Sequence, residues 1–307
     1  MADPGFPPDT LGLVPMPSRR AALGRRVFSH VGLLIGAGLI AVIVVMAIFA
    51  PALAPYDPYA QDLSNRRIPP VWHAWINDHP KASWVHPLGT DRIGRDYLSR
   101  IIHGARISLL IGTLAMLISG TLGTALGVAA GYFGGRVDMV VNFLVTTRLS
   151  LPLILVSLVI VSLFGGSITT IILALGFLIW DRFAIVMRSV TLQIRNLDYI
   201  TVARANGCSS AYIIFREILP NVANALIVVA TIEMAVAILL EAVLSFLGLG
   251  VKPPLPSWGL MIAEAKTDMF FDSWLIGIPG IALFMLILAI NLVGDGLRDV
   301  TAPEHRA

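Results

Sequence analysis

Residues 201–221 read TVARANGCSSAYIIFREILPN, a polar-flecked passage with two arginines, a glutamate and a cysteine. Largely apolar runs flank it, roughly Ile168–Val186 before and Val222–Leu247 after. Each run has about the 18 to 20 residues that a helix needs to cross a bilayer. Soluble domains carry about a quarter charged residues because their surface faces water. This chain is 13% charged and 56% hydrophobic, with a mean hydropathy of +0.81. The runs are continuous and do not alternate in ten-residue strands, which excludes a membrane β-barrel. The chain reads as an all-α membrane protein.

Within the passage, Asn206-Gly207 is a helix stop, since glycine accepts the left-handed conformation that ends a helix. Ser209 or Ser210 can cap a following helix by accepting from its free amides. Ile213, Ile214, Ile218 and Leu219 give that helix an apolar face, and Pro220 is expected to interrupt it. The pattern is helix, glycine turn, helix. A plain polar connector would fit the same residues.

Six spans are expected: Val31–Leu53, Ile107–Ala130, Met139–Phe164, Ile168–Val186, Val222–Leu247 and Trp274–Val293. Gly112, Ser119, Gly120, Gly123, Thr124 and Gly127 give the second a small-residue surface on which neighbouring backbones can approach closely. From Tyr97 an amphipathic helix leads into it. Arg19, Arg20, Arg25 and Arg26 before the first span argue for a cytoplasmic N-terminus, and six spans return the C-terminus to that side. The first span is expected to remain as an anchor, with no small-residue cleavage pattern after it. The organisation is a cytoplasmic tail 1–29, a first span 30–53, an extracytoplasmic loop 54–106, a five-span body 107–297 enclosing the cytoplasmic segment 187–221, and a cytoplasmic tail 298–307. A net charge of +3 orients the chain and does not suggest nucleic acid. Cys208, the single cysteine, excludes an intrachain disulfide.

Against this reading the passage resembles the cytoplasmic signature of ABC importer permeases: Glu-Ala-Ala, three residues, Gly, nine residues, Ile-x-Leu-Pro. Ala203, Gly207, Leu219 and Pro220 stand at matching places, while Thr201, Val202 and Glu217 depart from it. HPLGTDRIGRDYLSRIIHGARISLLIG (86–112), EAVLSFLGLGVKPPLPSWGLMIAEA (241–265) and NLVGDGLRDVTAP (291–303) resemble the second permease of dipeptide and oligopeptide importers. The resemblance implies the type I importer permease fold in a bacterial inner membrane. It further implies a second homologous permease, two ATP-binding subunits or one fused ATPase, and an extracytoplasmic substrate-binding protein. Thr201, Ala203, Arg204, Ala205, Gly207, Cys208, Ser209, Leu219 and Pro220 would then form the segment that couples to the ATPase. The missing glutamate at Thr201 puts one docking contact in question. ATP and magnesium would sit on the partner subunits. This chain has no Walker-type loop, because no Gly-Lys-Ser/Thr follows Gly89–Gly94 or occurs elsewhere. No cofactor, catalytic group or metal is expected in it.

In 86–112, Gly89, Asp91 and Gly94 suggest turns, and Asp96 is expected to pair with Arg95 and Arg100 near the membrane surface. These five residues (Gly89, Asp91, Gly94, Arg95, Asp96) are the candidates for binding-protein docking or an outer gate. Charges inside spans are costly and therefore candidates for function. Glu233 and Glu241 are candidates for the translocation path, an interhelical bond being the alternative for each. Arg148 is expected to snorkel to the cytoplasmic interface. His73, His79 and His86 match no compact metal spacing. Trp72, Trp75 and Trp84 are read as interface anchors or binding-protein contacts. Di- and oligopeptides are the expected substrates, with nickel chelates, glutathione or haem-like compounds as alternatives. An ATP-independent channel or carrier is the rival class, and it would call for inverted repeats.

Overall fold

A computed structural model describes residues 30–76 and 80–301; the arginine-bearing tail 1–29, His79 and residues 302–307 lie outside them. The regular structure among the described residues is helical, with one isolated bridge between Thr90 and Asp96. The principal helices are α1 (Val31–Ile48), α2 (Tyr97–Phe133), α3 (Gly135–Leu149), α4 (Leu153–Phe164), α5 (Ile168–Leu178), α6 (Asp181–Arg195), α7 (Asp198–Ala205), α8 (Leu219–Phe246), α9 (Trp258–Ala265) and α10 (Trp274–Thr301). Five helical stretches are long and apolar enough to cross a membrane, and a sixth span follows if α3 and α4 count together. Exposed leucine, valine, isoleucine and phenylalanine side chains such as Val42, Leu155, Leu163, Phe177, Ile281 and Phe284 coat the bundle. A surface of that kind suits lipid and not water.

Helix α2 is the axis, packing against α1, α5, α6 and α8. Its glycines explain the closest of these contacts. A Cβ on Gly123, Gly127 or Gly131 would run into the backbone of α6 or the residue before it, and one on Gly112 into Ile238 of α8. At 37 residues, α2 rises about 55 Å, against about 30 Å of hydrocarbon, so its ends stand outside the apolar layer. His30 at the start of α1 lies 3.0 Å from Asp299 near the end of α10, so the chain enters and leaves the bundle at one end.

Four expectations are corrected. The span expected over Met139–Phe164 is not one helix: α3 and α4 meet at an angle of 84°. Pro152 has no amide hydrogen to continue α3, and it disfavours the α conformation at Leu151. Pro220, conversely, does not interrupt the helix entering the fifth span; the helix runs on from Ser210 to Phe246. Residues Ile213–Ile218 widen into a π-helical turn, with Leu219 N–H donating to the Ile214 carbonyl. That register slip accommodates the proline, since π-turns are one of the ways a helix absorbs such a defect. Finally, α10 continues to Thr301, so 298–301 are helix and not tail. The fourth span likewise extends to Arg195, so the segment 187–221 begins inside α6.

Candidate functional site

The passage 201–221 lies where α2 ends. α7 stops in a Schellman turn: Gly207 N–H bonds the Arg204 carbonyl at 3.0 Å and Cys208 N–H the Ala203 carbonyl at 3.1 Å. Gly207 has φ +79° and its Cβ position faces open space. The pairing of those two bonds is what satisfies the last carbonyls of the helix. Ser209 Oγ then accepts from Tyr212 N–H at 3.2 Å and caps the next helix, as its side chain predicts.

One side of this unit is glued to the bundle. Ile200, Ile213 and Ile218 are buried with Met187, Tyr132 and Val222, and Ala203, Cys208 and Leu219 pack against that cluster. The Arg204 guanidinium stands over the Tyr132 ring at 5.1 Å, and Arg195 donates to the carbonyls of Gly131 and Tyr132. The other side, with Thr201, Val202, Ala205, Gly207, Ser209 and Pro220, is exposed. Of the nine residues expected to couple, three are therefore glue, Arg204 is a tether, and the remaining five form an outward plate.

At the far end of α2, the 86–100 region folds against α9 and the segment before α10. Gly89 and Gly94 have φ +77° and +79°, as turns there require. The expected partnership is corrected: Asp91, not Asp96, pairs with the arginines. Asp91 Oδ1 accepts from the amides of Ile93 and Arg95, while Oδ2 accepts from Arg95 Nε at 2.5 Å and Arg100 Nη1 at 2.8 Å. Glu264 of α9 bridges the same two arginines at 2.9 and 2.7 Å. Asp96 instead caps α2, accepting from Ser99 N–H and Oγ, and its other oxygen faces His86 Nδ1 at 2.9 Å. A helix N-terminus competes well for a carboxylate that starts it. Nearby, Arg67 and Arg92 converge on Asp268, and burial raises the Asp272 carboxyl, against the opposing pull of Arg67. The two halves of the long loop pair through Arg67 N–H to Asp91, Val71 N–H to Pro87 and Thr90 N–H to Ile68, so the loop is compact where it is described.

α10 is tied in by an exchange of partners. Pro279 cannot donate to the Leu275 carbonyl one turn back, and the buried Tyr97 hydroxyl donates to that carbonyl instead. Trp258 Nε1 of α9 donates to the Ile101 carbonyl of α2 at 2.9 Å. Trp75 and Trp84 are largely exposed, with ring centroids 6.4 Å apart.

The intramembrane charges have partners. Arg148 does not snorkel outward; its Nε donates to the Leu178 carbonyl at 2.5 Å and lies 3.5 Å from Asp181. The bend after α3 brings it to the α5–α6 joint, where a neutralising charge is cheaper than exposure to hydrocarbon. Glu233, 2% exposed, lies 3.4 Å from Arg182 Nη1 beside a cavity of about 170 Å³. Glu241 is 1% exposed and accepts from Ser245 Oγ at 2.8 Å and from Ser257 Oγ at 2.9 Å. Ser257 caps α9, so Glu241 pins that helix to α8.

A feature the sequence reading missed is the groove along α2 and α8. It holds cavities of about 690 Å³ near Phe215 and about 530 Å³ near Arg106, both lined mainly by apolar side chains. The signal was present: Leu110, Leu114, Leu117, Thr121 and Ala125 recur at helical spacing and all are exposed.

The family model described as a binding-protein-dependent transport system inner membrane component matches residues 123–306. The N-terminal membrane domain of oligopeptide transport permease C matches 20–70. A dipeptide transport system permease protein of Haemophilus influenzae is 39% identical over 273 residues, covering 89% of this chain and 90% of the relative. A di/tripeptide permease protein of Pseudomonas aeruginosa is 39% identical over 278 residues, covering 90% of each. A glutathione transport system permease protein of Pectobacterium atrosepticum is 35% identical over 274 residues, covering 89% of this chain and 86% of the relative. Among solved structures, an inward-facing methionine ABC transporter matches with a TM-score of 0.56 at 17% identity, covering 66% of this chain and 97% of that one. That likeness is one of fold.

Proposed function

This chain belongs to the binding-protein-dependent inner-membrane transport components, in the oligopeptide permease branch, and on that premise we propose that it is one of two unlike permease subunits of an ATP-driven importer of short peptides. The multi-pass chain sits in the inner membrane. The observation that carries the mechanism is the plate of α7 and its glycine turn, glued on one side and bare on the other. ATP-hydrolysing partners, holding the ATP and magnesium, grip that bare side from the cytoplasm, where both termini also lie. Their approach drives the plate, and the plate moves the base of α2 through Arg204 and Arg195 as a rigid unit between two states. The groove of α2 and α8 faces the second permease, and the two line the path. Glu233 borders that wall through Arg182, while Glu241 holds α9 in place. An extracytoplasmic binding protein delivers substrate to the surface that Arg92 and the exposed Trp75 and Trp84 present, while Gly89, Asp91, Gly94, Arg95 and Asp96 are buried beneath it and shape it from within.

Peptide-stimulated ATPase activity of the purified complex, read across a panel of peptides, tests this reading. Di- and tripeptides are expected to stimulate hydrolysis. Stimulation by glutathione alone would move the substrate class to that of the glutathione relative. Absence of any co-purifying ATPase would favour an ATP-independent carrier.

A further inference from the structure

We propose that the arginine cluster at the start of α2 is a binding site for a small carboxylate, such as the free C-terminus of a short peptide. A cavity of about 300 Å³ opens there between α2, α9 and the start of α10, lined by Asp91, Arg92, Arg95, Arg100 and Glu264 among others. Side-chain exposure grades inward along these charges. Arg92 is 51% exposed, Glu264 25%, Arg95 9% and Arg100 1%, which sets Arg92 at the mouth and Arg100 at the floor.

Each guanidinium on that wall has a carboxylate partner, Arg92 in Asp268 and Arg95 and Arg100 in Asp91 and Glu264, so what is left unmet lies on Arg100. Arg100 uses only Nη1, which it gives to Asp91 and Glu264. Its Nε and Nη2, although buried, have no partner among the described residues. Buried guanidinium donors are normally satisfied, because an unmet one keeps its full desolvation cost. The Nε and Nη2 hydrogens of arginine lie side by side, in the fork that takes a carboxylate with two parallel bonds. Glu264 shares its single engaged oxygen, Oε2, between Arg95 and Arg100 and is partly exposed. It is thus an internal anion that an incoming carboxylate can displace or join. The size of the cavity admits a dipeptide terminus and excludes a folded surface.

That the carboxylate belongs to a peptide rests on the transport reading above; the anion site itself rests on the geometry. The test uses the purified complex containing this chain, with no binding protein added, and alanyl-alanine and alanyl-alanine amide as probes in equilibrium dialysis. The acid is expected to bind about tenfold more tightly than the amide, the worth of one charge-assisted contact. Arg92→Gln, at the exposed mouth, is expected to weaken the acid several-fold. Glu264→Gln removes the competing anion and is expected to tighten it about tenfold, a gain that a purely structural ion pair would not give. Equal binding of acid and amide, no saturable binding at millimolar acid, or weaker binding in Glu264→Gln each overturns the site. Peptide-stimulated ATPase without such binding leaves the transport reading standing and removes this one. Binding with these variant effects but no stimulated ATPase does the reverse.

Discussion

The two ends of α2 are built on opposite principles. At its C-terminal end the glycine-turn unit is held by an apolar cluster and one guanidinium over a ring, with its other face bare. At its N-terminal end Asp91, Arg95, Arg100 and Glu264 bury charge against charge and the contacts are turned inward. The first surface leaves its outer face exposed, where the proposed ATPase partner would meet it. The second spends most of its chemistry on itself. Substitutions should therefore separate: the inward end governs stability, the outward end governs coupling.

The contrast breaks most visibly at Asp91. Asp91→Ala would leave Arg95 and Arg100 buried with Glu264 alone, and removing one partner of a buried ion pair costs about 3 to 5 kcal/mol. Loss of folded protein on thermal denaturation in detergent checks this; a variant as stable as the parent would show that the network is not load-sharing. Next in size, Tyr97→Phe strands the Leu275 carbonyl that Pro279 already leaves without a donor, at about 1 to 3 kcal/mol. Adding Pro279→Ala restores an amide hydrogen, so the double variant should recover most of the lost melting temperature. Failure to recover would mean the hydroxyl matters for a different contact. The smallest effect on stability and the largest on function are expected at Gly207→Val. Its left-handed backbone costs a side chain about 1 to 2 kcal/mol locally, with no clash to add. Membrane insertion should be unchanged while stimulated ATPase and transport are lost. Normal transport in that variant would detach the turn from coupling.

Much of this was legible in residue order. Continuous apolar runs marked the spans, Asn206-Gly207 marked the turn, and the glycines of α2 marked its tight neighbours. The misses have two causes, local backbone torsion that hydropathy does not register and partners far away in sequence. Hydropathy reads through Pro152 because it registers apolar character and not torsion, so the 84° bend went unseen. It gave no sign that a π-turn would absorb Pro220. Adjacent charges suggested Asp96 for Arg95, yet the start of α2 claims Asp96, and Arg95 pairs with Asp91 four positions back and with Glu264 at a separation of 169 positions. For Glu241 the sequence left a substrate contact and an interhelical bond both open, and the contact present is the second kind, with Ser257 at the start of α9 donating to its carboxylate.

The length of α2 has a mechanical consequence. It contains no proline and no break from Tyr97 to Phe133, so along its axis it behaves as a stiff pushrod. A displacement at the Tyr132 end would be carried along one continuous helix toward the Asp96 cap. The fifth span differs, because the widened turn at Ile213–Ile218 is a place where slack can collect. If the proposed partner drives the glycine-turn unit, one unbroken shaft beside one with a widened turn would convert a single stroke into a shear between them.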